Sequence, residues 1–85
     1  MAHYSGQAKA EILRRYGWED QSTWKQPGVW RHKDRPGEYI SAYARMGWFH
    51  ISESKEGAVA SGDSAKDLAD YLETLEAATQ EILHG

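Results

Sequence analysis

Residues 39–64 read YISAYARMGWFHISESKEGAVASGDS, and the architecture turns on how this run is divided. Its first half is rich in aromatic and β-branched residues, which fit a pleated, half-buried surface. Two such runs meet at Arg45-Met46-Gly47. A second turn, Ser54-Lys55-Glu56-Gly57, leads to a short strand over 58–61. Gly62-Asp63-Ser64 then opens a long helix. Ser64 has the side chain of an N-cap, and Asp67 stands three residues on, as a short-armed capping box requires. Ala65, Leu68, Ala69, Leu72, Leu75, Ile82 and Leu83 fall at helical spacing as one apolar stripe. Lys66, Asp70, Glu73, Glu76 and Glu81 take the flanks and back.

The turn decides which side chains share a face. A two-residue Met46-Gly47 loop sets Ile40, Ala42 and Ala44 beside Phe49 and Ile51, the better apolar match. A three-residue loop ending in a bulge sets Tyr39, Ser41 and Tyr43 there instead. It also gives the positive-φ position to Gly47 rather than to Met46. A slip of one residue exchanges the two faces, so both registers stay open. In the next strand, Phe49 and Ile51 point one way, joined by Val59. Trp48, His50 and Ser52 point the other.

Upstream, Ser5 is placed to cap a first helix over 6–16, where Ala8, Ile12, Leu13 and Tyr16 recur at helical spacing. Gly17 suits a left-handed stop that returns Trp18 onto Leu13. Lys9, Arg14 and Arg15 fall on the opposite face and read as solvated. Residues 19–26 show no period and read as a loop, with Trp24 folding back onto the core. Pro27-Gly28 marks a turn, 29–32 a strand, 33–37 a loop and 38–44 a strand. The order predicts one α+β domain of 85 residues. An N-terminal helix and a long C-terminal helix flank an antiparallel sheet of three or four strands. A helix over 65–83 would be about 28 Å long, against about 17 Å for a five-residue strand. Its last turns therefore overhang the sheet, to pack on the first helix or on a partner.

Composition narrows the function. With no Cys there is neither a disulfide framework nor a thiolate metal site. No charged-then-apolar leader opens the sequence and no apolar run approaches a membrane span, so a cytoplasmic protein without a membrane partner is expected. The net charge of -3 divides into +3 over residues 1–50 and -6 over 51–85. That asymmetry can orient a partner without demanding nucleic acid. His3, His32, His50 and His84 lack metal-ligand spacing, and Gly62-Asp63-Ser64 lacks the second Gly of a nucleophile elbow. No cofactor, metal or catalytic constellation is expected. Four Trp and five Tyr are the unusual feature; aromatics supply contact area in cores and interfaces alike.

The candidate site is the sheet face of Trp48 and His50, with Trp30, Arg31, His32 and Arg45 nearby. Aromatics interleaved with cations on an open sheet can stack bases and meet phosphates. The competing expectation is that the first helix, with Trp18 and Trp24, covers this face and makes it a core layer.

Gly47, Trp48 and Phe49, then Gly57, then Gly62, Asp63 and Ser64 follow the spacing of a strand–strand–helix unit. Over residues 47–75 the sequence resembles HicB-type antitoxins, with Glu53 and Glu56 where that family has Pro. The resemblance implies a small non-enzymatic protein-binding module, antitoxin-like or inhibitory, of phage or other prokaryotic origin. Its partner would be another protein or a second copy. The helix–three-strand–helix order is also similar to double-stranded RNA-binding domains, but Lys66 stands alone where they carry a lysine cluster. Gly28-Val29-Trp30-Arg31 resembles the three-strand DNA-binding domains of integrase arms and plant ethylene-response factors, with few Arg to read a groove. A nucleic-acid-binding domain is the alternative expectation.

Overall fold

Gly17 stops the first helix as its sequence position requires. Its φ is 87°, the Trp18 amide donates to the Leu13 carbonyl at 2.9 Å, and the Gly17 amide donates to that of Arg14 at 3.1 Å. This pair of bonds is the Schellman motif. In the computed structural model, which describes residues 4–84, the elements are α1 (Gln7–Arg15), β1 (Glu19–Asp20), β2 (Val29–Arg31), β3 (Glu38–Ala42), β4 (Trp48–Ser52), β5 (Ala58–Gly62) and α2 (Ala65–His84). The five strands form one antiparallel meander in chain order.

The α+β class and both helices are as expected, but the sheet has five strands rather than three or four. The added strand is β1, in the stretch read as loop. Glu19 pairs with Arg31 and Asp20 with Trp30. Both β1 residues are exposed, so no apolar alternation marks the strand. It forms because the chain leaving Trp18 runs alongside β2.

The faces are those of the three-residue loop, but the pairing is shifted by two residues, with Ala42 and Trp48 as the last partners and residues 43–47 between the strands. Tyr39 lies opposite Ile51, Ser41 opposite Phe49 and Ala42 opposite Trp48. Gly47 is nevertheless not among the glycines at positive φ. It is required for a different reason: a Cβ there would collide with the Gly62 carbonyl oxygen, and one on Gly62 would lie 2.6 Å from the Trp48 ring. β4 and β5 therefore meet through two glycines beside an indole.

Both helices pack on one sheet face. Trp30, Ile40, Ala42 and Trp48 meet Ala10 and Leu13 of α1, Trp18, and Leu68 and Leu72 of α2 in a single cluster. Phe49, which points away from Trp48 and His50, is 39% exposed, and Val59 is 41% exposed. The bulky apolar side chains that α1 and α2 supply are used against the tryptophan face and against each other, so none reaches the opposite side.

Further corrections concern α1. Gly6, not Ser5, is its N-cap, and no side chain caps it. Ser5 is fully buried, and its Oγ accepts from Trp30 Nε1 at 2.8 Å. Lys9 is not solvated: it is buried, and Nζ donates to the carbonyls of Tyr43 (2.8 Å) and Met46 (3.2 Å). Arg14 lies over the Trp30 ring at 5.5 Å. α1 meets the β3–β4 hairpin at its carbonyls, where a cation fits better than an alkyl group. Trp24 does not fold back and is 87% exposed. The Thr23 amide donates to the Gln26 carbonyl and the Gln26 amide to Thr23 Oγ1, closing their own turn instead, with Lys25 over the indole.

The start of α2 is as read. Ser64 Oγ accepts the Asp67 amide at 3.1 Å, and the Ser64 carbonyl accepts Trp48 Nε1 at 3.2 Å. Leu75 packs against the core and Thr79 is buried, whereas Ile82 and Leu83 are exposed beyond it. The overhang is therefore the last turn only. Gly47→Ala sets a methyl group against backbone and is expected to cost roughly 1–3 kcal/mol in urea unfolding. Gly37→Ala meets no atom within 4 Å and carries only the left-handed penalty of roughly 1–2 kcal/mol.

Candidate functional site

The chemistry-bearing side chains fall into two places on opposite sides of the sheet. The first lies between sheet and helices. β3 and β4 bring Glu38 and His50 side by side, since Ile40 is the pairing partner of His50 and Glu38 shares its face. Neutral His50 donates from Nε2 to the Glu38 carboxylate at 2.6 Å. Its Nδ1 accepts the Tyr71 hydroxyl of α2 at 2.5 Å. A carboxylate only accepts, so this tautomer satisfies all three groups. Arg35 then holds Glu38 through Nη1 at 3.0 Å and donates from Nε to Thr79 Oγ1 at 2.9 Å. The chain of bonds Tyr71–His50–Glu38–Arg35–Thr79 thus ties β3, β4 and the β2–β3 loop to α2.

Burial is the main influence on His50 and holds its imidazole below the usual value of 6.5. It outweighs the hydrogen bond and charge of Glu38, which favour the protonated ring, and Arg35 acts in the same direction as burial. Burial likewise raises the Tyr71 phenol above 10.0. His50 is 2% exposed with both nitrogens engaged, so it offers no ring atom to a ligand from solvent. Beside this network a cleft of about 260 Å³ opens between the end of α1, the β2–β3 loop and α2, lined by Tyr16, Trp18, His32, Arg35, Leu75 and Thr79 among others. Arg35 is engaged as above, and His32 with the Tyr16 carbonyl and the Asp34 amide; Lys33 is exposed at the rim.

The second place is the helix-free face. Val29, Tyr39, Tyr43, Phe49 and Ile51 lie on it, as alternation and the observed register dictate, with exposed Val59 beside Ala58, the partner of Ile51. Arg31 stacks over Tyr39 at 5.2 Å and bridges Glu53 at 2.9 Å. Tyr43 and Ser41 share a hydroxyl–hydroxyl bond of 2.9 Å. A shallow groove of about 460 Å³ runs here, lined by Lys25, Val29, Arg31, Tyr39, Tyr43 and Glu53 among others.

The six residues singled out from the sequence are dispersed. Trp30, Trp48 and His50 are at most 2% exposed under the helices. Arg31 is on the helix-free face, His32 lines the cleft, and Arg45 is exposed in the β3–β4 loop. Of the two expectations for the Trp48 face, coverage holds, with α2 as well as α1 over it; Trp24 takes no part. Missed as a surface were Tyr39, Tyr43, Phe49, Ile51 and Val59. Their signal was present: Tyr39, Ser41 and Tyr43 alternate, and hydroxyl groups mark the side nearer water.

The chain matches no protein-family model, no curated protein and no solved structure. Among the described residues no group of three His, Asp or Glu is placed to hold a metal ion. No described helix is long and apolar enough to cross a membrane.

His50 sets a pH dependence. The unfolded ring titrates near 6.5 and the folded ring below it. As pH falls the unfolded state takes up the proton first, so stability is full above about 6.5 and declines below it until the folded ring also titrates. Urea midpoints are expected to be lower at pH 5.5 than at 7.5, and His50→Gln should flatten that difference. An unchanged slope in the variant would assign the dependence elsewhere. Tyr71→Phe leaves Nδ1 without its donor and is expected to cost about 1–3 kcal/mol.

Proposed function

We propose that the protein is a non-enzymatic protein-binding module whose docking surface is the helix-free face of the sheet. The supporting observation is the make-up of that face. Tyr39, Tyr43, Phe49, Ile51 and Val59 form an apolar and aromatic field in which Arg31 is neutralised by its ion pair with Glu53. Aromatic residues and Arg are the side chains enriched at protein interfaces, and charge is depleted at their centres. The partner that fits is a protein presenting aliphatic side chains to this field and polar groups to Lys25 and Glu53 at its margin. β4, the Ser54–Gly57 turn, β5 and the first half of α2 occupy residues 47–75, the stretch that resembles HicB-type antitoxins. In that reading the partner is a toxin.

A single-stranded nucleic acid is the second reading, favoured by Tyr39, Tyr43 and Phe49 standing beside Lys25 and Arg31. Phosphate binding draws on several unpaired cations, and Arg31 is already committed to Glu53. The two readings separate by salt. A protein partner should stay bound as salt is raised, and labelled oligonucleotides should show no salt-sensitive anisotropy change.

Phe49→Ala should leave stability within about 0.5 kcal/mol, as an exposed site does. It should weaken partner capture by tenfold or more, the loss of about 1.4 kcal/mol or more expected of an interface anchor. Wild-type-level capture by both Phe49→Ala and Tyr39→Ala would remove the face from consideration.

A further inference from the structure

The two edges of the sheet are built differently. β1 ends one side with two residues, Glu19 and Asp20, both acidic and too short to template another strand. Shortness and charge are the ordinary defences of a sheet edge. β5 ends the other side with Ala58-Val59-Ala60-Ser61-Gly62, five residues with neither charge nor proline. Among the described residues no strand lies beyond it. Its one guard is the irregularity opposite His50 and Ile51, where Ala60 and Ala58 pair and Val59 is the extra residue. A bulge increases twist but leaves backbone donors and acceptors on the free side.

We propose that β5 is the seam of a homodimer, in which two copies pair antiparallel along Ala58–Gly62 to form one ten-stranded sheet. The choice of a second copy over a foreign peptide follows from the edge itself. Strand addition draws affinity from backbone bonds and specificity from pockets for alternate side chains. The groove and the cleft are lined by residues outside β5, so β5 offers the backbone without a pocket. The strand that fits such an edge has small side chains of its own, and β5 is one. Charge agrees. A two-fold axis near Ala60 brings the Lys55-Glu56 turn of one copy to the end of the other that carries Asp63 and Lys66. Each end then meets both signs rather than its like. An isologous pairing of this kind closes on itself and leaves the two acidic β1 edges outermost. The proposal is independent of the role given to the helix-free face.

The test is sedimentation equilibrium of the full chain from micromolar to millimolar concentration, with amide exchange read over residues 58–62. The wild type should reach twice the chain mass, and those amides should gain protection as concentration rises. Ser61→Lys and Ser61→Glu each place like charges on one side of the seam, within reach of each other diagonally. Each should stay monomeric alone with an unchanged far-ultraviolet spectrum, and their equimolar mixture should dimerise. Should one variant fail to fold, the other and the wild-type amide exchange decide. A wild type that remains monomeric throughout overturns the proposal, as does a dimer that survives in both variants or leaves the β5 amides unprotected. Phe49→Asp separates the two surfaces: it should abolish partner capture and leave the dimer intact. If it abolishes the dimer while the Ser61 variants do not, the copies meet face to face and the seam is wrong.

Discussion

Two indole N–H groups fix the relation between sheet and helices. Trp30 donates to Ser5, immediately before the Gly6 cap of α1. Trp48 donates to the carbonyl of Ser64, from which α2 starts. Each helix is thus fastened at its origin to a ring standing on the sheet. The rings also hold the layers apart, and a buried indole without a partner would forfeit a hydrogen bond in a medium that cannot replace it. Once both tethers are on one side, both helices are on that side, and the opposite face is left to water or to whatever docks there. The one-sidedness of the molecule follows from where two nitrogen atoms find acceptors.

The polar chain from Tyr71 to Thr79 has the same effect at another point of the interface. It spans strands and helix through side chains that are each satisfied by the next. That makes it a fastener with a directional requirement, unlike the apolar contacts around it. Removing one member strands its neighbour, which is why such chains are costly to interrupt and specify one arrangement. Two members of this chain, Arg35 and Thr79, also form part of the wall of the cleft beside it. The helix-free face, by contrast, carries aromatic groups whose contacts within the chain leave part of their surface unused.

Much of this was legible in the sequence. The Gly17 stop, the Ser64 cap, the Ser54–Gly57 turn and the stripe from Leu68 to Leu75 are local signals, set by bonds within a few residues, and each formed as read. What failed depends on distant neighbours. Lys9 looks solvated until the carbonyls of Tyr43 and Met46 lie over it. Glu19 and Asp20 look like loop until β2 runs beside them. Gly47 looks like a turn glycine, whereas the Gly62 carbonyl is what excludes a side chain. The candidate site suffered most, because Trp and His draw attention as interface residues and here serve as core. The register of one strand, undecided by its own residues, determined which side faced out.

Lys9 has a consequence for the chemistry of the surface. The residue is 7% exposed and its ammonium already gives two hydrogens to carbonyl oxygens, so it is a poor target for acylating reagents. Lys25, Lys33, Lys55 and Lys66 are exposed and remain open to them. A dye or surface attached through lysine would therefore leave the grip of α1 on the hairpin untouched. Lys25, at the margin of the groove, would report by its own protection when that face is occupied.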